Sequence, residues 1–182
     1  HLTEFLSKRN HVIVIDNLSH GNKIVNFNKN IKLINGDVKD KDLLNYYSKN
    51  CKSIFHLAAV LGVDVVSNKN VETMNCEFEG VKNVCNAAKK NKVKKIIYSS
   101  SSGVYGKLNY STNVKESATI APVSAYSISK RACEFYLKSF YNENKISSIA
   151  VRLFNVYGPR QDQRMVVSRF ISQAKNNKPI TI

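Results

Sequence analysis

The residues best suited to chemistry lie between Tyr98 and Lys130. A short apolar run, Ile96-Ile97-Tyr98, ends in four serines, Ser99 to Ser102, and a helical pattern opens with Tyr126-Ser127-Ile128-Ser129-Lys130. Residues i and i+4 share a helix face, so Lys130 can sit beside the phenol of Tyr126. A free tyrosine loses its proton near pH ~10, and a neighbouring ammonium favours the phenolate and lowers that value. A tyrosine tuned in this way can take a proton from an alcohol near neutral pH. A Tyr and a Lys four apart occur by chance on many helices, so the weight of this reading rests on the serines and on the elements around them.

Those elements alternate. Continuous apolar runs, as expected of parallel strands buried on both faces, cover His11–Asp16, Ile31–Asp37, Ser53–Leu57, Lys95–Ser100 and Ser148–Phe154. Helical patterns cover His1–Lys8, Asp40–Ser48, Val71–Asn91, Ser124–Glu143 and Val166–Asn176. In the third of these helices Met74, Phe78, Val81, Val84, Cys85 and Ala88 form the apolar face, and in the fourth Ala125, Ala132, Phe135, Tyr136 and Phe140 should point inward. Strands alternating with helices predict βαβ units and a parallel sheet. In such sheets ligands collect beyond the carboxyl ends of the strands. The chemically distinctive residues gather at those ends: Asp16-Asn17, Gly36-Asp37, Ala58-Ala59, Ser99 to Ser102 and Phe154-Asn155.

Asp16 has a specific reading. A carboxylate ending the second strand of a dinucleotide fold, about 20 residues past a glycine-rich loop, binds the adenosine ribose and repels a 2′-phosphate. Taken alone, Asp16 reads as readily as a strand-end turn residue. His56, inside an apolar run, reads as a packed core residue. Ala58 and Ala59 are small enough for a ligand, or equally a helix, to approach the backbone. Asn75 is a candidate for the backbone of a cofactor loop, although a mid-helix Asn is commonly just tolerated. Gly158-Pro159-Arg160 reads as a turn; Arg160 and Arg164 are candidates for a phosphate and equally for solvated arginines.

Composition bounds the alternatives. The chain has 182 residues, 43% apolar, with a formal net charge of +15, enough for one ordinary domain with a core. Its basic residues come in ones and twos, as in Lys89-Lys90 and Lys94-Lys95, without the aromatic interleaving of a nucleic-acid surface. We read them as lysines scattered over solvated faces, and expect neither nucleic acid nor membrane as a partner. Cys51, Cys76, Cys85 and Cys133 have no zinc-ligand spacing; reduced thiols and a cytoplasmic setting fit them best. The chain opens on His1 and stops at Ile182 without a closing element, so we expect an internal piece of a longer protein.

The motifs Asp16-Asn17-Leu18, Gly36-Asp37-Val38, His56-Leu57-Ala58-Ala59, Tyr98 to Gly106, Tyr126 to Lys130 and Arg152 to Arg160 follow one another in an order that resembles the extended short-chain dehydrogenase/reductases acting on nucleotide sugars. The likeness is strongest to the UDP-glucose 4-epimerases and covers nearly the whole chain. It implies an α/β fold with a Rossmann-like doubly wound parallel sheet, truncated at both ends. Residues 1–160 would be the dinucleotide-binding domain without its first strand and glycine-rich loop, and 161–182 the start of the substrate-binding region. With that strand missing from the middle of the sheet, the strand at 12–15 and that at 53–57 would be left with a gap between them or would pair directly. The piece alone would bind NAD poorly.

The resemblance also implies roles. Tyr126 would take the proton of the sugar 4-hydroxyl while the C4 hydride passes to NAD, Ser101 would hydrogen-bond the same oxygen, and Lys130 would hold the nicotinamide ribose and keep Tyr126 acidic. Asp16, Asn17, Asp37 and Val38 would bind the adenosine half. Leu57, Ala58 and Ala59 would line the pyrophosphate and ribose path, with Asn75 and Ser99 as further cofactor contacts. Phe154 would touch the nicotinamide region, and Asn155 the sugar diphosphate. The family's 4,6-dehydratases carry an Asp-Glu pair directly after the serine position and its decarboxylases a Glu two residues on. Here those positions are Ser102 and Gly103, which do no acid-base work. A 4-epimerase of a nucleotide sugar, with a UDP-sugar favoured as substrate, is therefore the expectation. A 4-keto sugar reductase and a non-catalytic dinucleotide-binding protein are the alternatives. A homodimer is one assembly open to it.

Overall fold

Three parallel strand pairings organise the chain. The computed structural model describes residues 1–19, 28–60, 69–107 and 113–180. These form α1 (Leu2–Ser7), β1 (Val12–Asp16), β2 (Ile31–Asn35), α2 (Lys41–Tyr47), β3 (Ser53–His56), α3 (Asn70–Lys90), β4 (Lys95–Ser101), a 3₁₀ turn (Ser102–Tyr105), α4 (Ala125–Asn144), β5 (Ser147–Leu153) and α5 (Val166–Lys175). Every strand and helix expected from the sequence is present, with no end moved by more than two residues.

Among the described residues the parallel sheet is divided, and of the two outcomes expected for the strands at 12–15 and 53–57, direct pairing does not occur. β1 pairs with β2 in one parallel sheet, and β3-β4-β5 form a second. The order 3-2-1-4-5-6 of a doubly wound sheet explains this division. β2 and β1 suit its third and second places, β3 to β5 its fourth to sixth, and none of the described residues forms a strand for the first. The chain divides into two units accordingly, His1–Asp37 with Asn155–Ile182, and Val38–Phe154.

In the first unit, Val12 to Asp16 pair with Ile31 to Asn35, and α1 packs on both strands. Asn28 and Asn30 fasten this helix, donating to the Ser7 hydroxyl and carbonyl at 2.8 and 2.9 Å. The turn at Gly158 is closed by the amide of Gln161 donating to the Gly158 carbonyl.

The second unit holds the core. Ser53 to His56 pair with Lys95 to Tyr98, and Lys95 to Ser101 with Ser147 to Leu153. The β3–β4 crossover contains α3 and the β4–β5 crossover α4, and these helices pack against each other. Val81, Val84, Cys85 and Ala88 of α3, Ile96 and Tyr98 of β4, and Cys133, Leu137 and Phe140 of α4 are buried. Two local signals set the helix starts. The carboxylate of Asp40 accepts from the amides of Asp42 and Leu43 at α2, and Ser124 and Ser127 cap each other reciprocally at α4, each satisfying amides a helix terminus leaves unpaired.

Phe135 and Tyr136 are exceptions to the expected inward face, at 54% and 42% exposure. The face of α4 that meets α3 and β4 carries Lys130, Cys133, Glu134 and Leu137 instead. Phe78 of α3 likewise lies outside, while Thr73 and Glu77 are fully buried.

Candidate active site

The pleat of β4 separates the serine run into different environments, because successive side chains of a strand point to opposite faces. Tyr98 and Ser100 are buried, while Ser99 and Ser101 are partly exposed. The Ser100 hydroxyl donates to Glu134 at 2.6 Å. The Ser99 hydroxyl donates to the His56 carbonyl at 3.4 Å, tying β4 to β3. Ser101, the last residue of β4, accepts from the amide of Gly103 at 3.1 Å, which fixes the 3₁₀ turn behind it.

Ser101 lies close enough to Tyr126 to influence its phenol. Lys130 lies one helical turn on, its ammonium 5.5 Å from the centre of the Tyr126 ring. The three residues grouped on chemical grounds are thus together, drawn from β4 and the first turns of α4. The Lys130 ammonium donates to the Ser99 carbonyl at 2.9 Å. A residue that sequence reasoning missed completes the arrangement. Glu77 of α3 is 0% exposed and its carboxylate lies 3.0 Å from Lys130, which is 1% exposed. The Tyr98 hydroxyl donates to the same oxygen at 3.0 Å. The signal was legible, since Glu77 sits four residues before Val81 on the apolar face of α3.

The electrostatics depart from the simple expectation that Lys130 keeps Tyr126 acidic. Burial raises the Tyr126 phenol above its ordinary value, the negative charge of Glu77 raises it further, and the Ser101 side chain draws it back in part. His56 is a core residue, as expected. Burial, followed by the positive charge of Lys130, lowers it to about 3.

At the ends of β1 and β2, Asp16, Asn17 and Asp37 come together. The Asn17 amide donates to the Asp37 carboxylate at 3.1 Å, and the Gly36 amide donates to the Asp16 carbonyl at 3.1 Å. Asp16 accepts from the Leu18 amide at 2.8 Å through one carboxylate oxygen, which leaves the other for a diol. At the end of β3, Leu57 and Ala58 are exposed and Ala59 half-buried. The Val38 carbonyl accepts from Asn83 at 3.0 Å, and Phe154 stacks at 6.3 Å on Tyr105 with half its surface exposed. Asn75 and Asn155 are exposed and join none of these clusters. Arg160 makes two 2.7 Å bonds to Glu4, and Arg164 pairs with Asp162 at 2.9 Å, so both guanidinium groups already face carboxylates. Among the described residues no His, Cys, Asp and Glu cluster could hold a metal, and no helix is long and apolar enough to cross a membrane.

A family model described as the NAD dependent epimerase/dehydratase family matches residues 1–182. The chain belongs to this family. It is 35% identical to a Methanocaldococcus jannaschii protein named provisionally as a UDP-glucose 4-epimerase, over 99% of this chain and 61% of that protein. It is 30% identical to the dTDP-D-glucose 4,6-dehydratase of Dictyostelium discoideum, over 100% of this chain and 46% of the other. Among solved structures, the UDP-N-acetylglucosamine 4-epimerase of Methanobrevibacter ruminantium M1, in complex with UDP-N-acetylmuramic acid, superposes with a TM-score of 0.90 at 36% identity, over 98% of this chain and 59% of that one. The chain thus spans about half to three-fifths of the length of these relatives. It is an α/β chain with the Rossmann-like fold of an NAD-dependent family.

Each unit by itself offers groups suited to part of a dinucleotide. In the first, Asp16 has a carboxylate oxygen that the Leu18 amide does not take, of the kind that suits a 2′,3′-diol. In the second, exposed Leu57 and Phe154 with small Ala58 and Ala59 offer apolar surface at strand ends, and Ser101 and Tyr126 offer hydroxyls.

Proposed function

We propose that the protein to which this chain belongs is a nucleotide-sugar 4-epimerase. The observation that carries this reading is the grouping of Ser101, at the end of β4, with Tyr126 and Lys130 in the first turns of α4. In the proposed reaction Ser101 and Tyr126 hold the sugar 4-hydroxyl, and Tyr126 removes its proton as the C4–H bond breaks. NAD supplies a reversible hydride acceptor, and the electron pair of the C4–H bond leaves with the hydride. The sugar is then a 4-ketone, which rotates and presents its other face. Tyr126 would then return the proton to the oxygen to give the epimer, and the reversible hydride chemistry of bound NAD would leave no net change in the cofactor. The protein's share is orientation and proton transfer.

Asp16 is assigned to the adenosine ribose, with Asn17, Asp37 and Val38 around the adenosine. Leu57, Ala58, Ala59, Asn75 and Ser99 are assigned to the remainder of the cofactor, Phe154 to the nicotinamide side and Asn155 to the sugar diphosphate. Water removal across C5 and C6, as in the dehydratases, needs an acid and a base beside the hydroxyl residue. Ser102 and Gly103 supply neither, which favours epimerisation. The test is an assay of the full-length protein on UDP-galactose, UDP-N-acetylgalactosamine and UDP-glucuronate, with the bound cofactor identified by mass. Interconversion at C4 without net change in NAD is expected, and loss of water from the sugar would overturn the assignment.

A further inference from the structure

The proposed proton transfer leaves one buried group unused. Glu77 is fully enclosed, and one of its oxygens takes both the Lys130 ammonium and the Tyr98 hydroxyl at 3.0 Å. An isolated carboxylate in such a place is costly unless paired, and pairing alone does not explain why it stands behind the reactive tyrosine. The titratable groups that face it are Lys130, Cys133 and Tyr126 of α4 and Tyr98 of β4, with His56 of β3 against the Tyr98 ring. Burial pushes the Cys133 thiol up to about 12, and burial with the charge of Glu77 pushes the Tyr98 phenol up as well. Burial holds His56 neutral, with the charge of Lys130 adding to the effect. The closest ionic contact in the cluster is therefore the one between Glu77 and Lys130.

We propose that Glu77 is a positioning residue: its carboxylate, with the Ser99 carbonyl, fixes the Lys130 ammonium under Tyr126 and offsets part of the charge that Lys130 presents to the phenol. The geometry has two consequences. The ammonium has two of its three donors committed, at 2.9 Å to Ser99 and 3.0 Å to Glu77, which sets its direction. Its charge, which would otherwise favour the phenolate, is met by an opposite charge at hydrogen-bond distance. This deepens the proposed reaction and rests on it for its catalytic meaning. The effect on Tyr126 is a property of the chain itself.

The test reads Tyr126 directly. The full-length protein is prepared with isotope-labelled tyrosine, the Tyr126 resonance is assigned by its loss in Tyr126→Phe, and its titration is followed by NMR. Glu77→Gln keeps the shape and removes the charge, and is expected to move the Tyr126 titration to lower pH than in the unmodified chain. Lys130→Gln is expected to move it to higher pH, and the double replacement to fall between the two single ones. An unmoved or upward-shifted titration in Glu77→Gln overturns the proposal. If Glu77→Gln does not fold, the decisive comparison is the double replacement, which buries no unpaired charge, against Lys130→Gln. Equal titration in those two overturns it. In the full-length protein the rising limb of the pH–activity profile should follow the same order, whereas a merely structural Glu77 would lower activity without moving the limb. Because the NMR titration needs no turnover, an inactive full-length protein counts against the 4-epimerase assignment alone.

Discussion

Arg152 grips Glu134 through two separate hydrogen bonds, from Nε to one carboxylate oxygen and from Nη2 to the other, each 2.9 Å long. The pair joins β5 to α4. Glu134 also accepts from Ser100 at 2.6 Å and from Arg131 at 2.7 Å, and Arg152 reaches the Tyr105 hydroxyl at 3.1 Å. One carboxylate thus braces both sides of the strand end that carries Ser101. Burial pushes the Glu134 carboxyl up, but the hydrogen bonds from Arg152, Ser100 and Arg131 outweigh it and hold it below the ordinary range. Replacing Glu134 by Leu leaves Arg152 without its partner, and breaking such a pair costs about 3–5 kcal/mol. Denaturant melts should show a large loss near neutral pH. A depressed carboxyl contributes stability that is complete above its unfolded value and lost as pH falls through its folded one. The difference between variant and wild type should therefore shrink in acid.

His56 supplies a second acid response. Its folded value of about 3 lies below the ordinary 6.5, so keeping it neutral contributes nothing to the pH dependence above the ordinary histidine range. As pH falls from there toward 3, the unfolded chain takes up a proton that the folded chain refuses, and stability drains away. His56→Phe should flatten this slope in denaturation curves recorded across that interval. An unchanged slope would assign the acid sensitivity to other groups.

Tyr126→Phe in the full-length protein removes one hydroxyl and little packing. Bound cofactor should be retained while turnover falls by about 10²–10⁴, the usual worth of a general acid or base. Ser101→Ala should cost less, as one hydrogen bond is lost. Near-normal turnover in Tyr126→Phe would remove it from the mechanism.

Asp16 bears on cofactor choice. The full-length protein should bind NAD more tightly than NADP, since a carboxylate facing the 2′-position repels a phosphate there. Asp16→Ala should narrow the gap. Equal affinity of the unmodified protein for both would take Asp16 off the cofactor.

Gly106 follows the 3₁₀ turn with φ of +72°, and a Cβ there would lie 1.9 Å from the Ala121 carbonyl oxygen. Gly106→Ala should destabilise by more than about 1 kcal/mol, because both the backbone conformation and the contact forbid a side chain. Thermal melting is a sufficient readout, and an unshifted midpoint would mean that the Ala121 segment moves freely aside.

The alternation of strands and helices was legible because each element carries its own period. The Tyr126–Lys130 pair was legible because helical spacing places both on one face. Of the buried ionic residues, Glu77 carries a signal in its helical spacing from Val81, whereas Glu134 and Arg152 look like surface residues one at a time. Only their partners make burial tolerable, and for Glu77 that partner is Lys130, which lies in a different helix. The same cause misplaced Phe135 and Tyr136. An apolar count assigns them to the core, but α4 spends its inner face on Lys130 and Glu134. The division into two sheets depends on which strands are hydrogen-bonded, which no local pattern specifies.

Four identical letters, Ser99 to Ser102, perform unlike tasks: one ties down a lysine with its carbonyl, one steadies a glutamate, one meets the tyrosine, and one begins a turn. A slip of β4 by a single residue would exchange these tasks while leaving the local sequence of hydroxyls almost unchanged, since each step inverts the faces of a strand. The serines therefore carry no record of their own alignment. That record is kept upstream, where Ile96 and Tyr98 must face inward and Lys95 must lie beside Ser147. An insertion or deletion within the serine run would be almost silent in composition and ruinous in register, so substitutions should be far better tolerated there than changes of length.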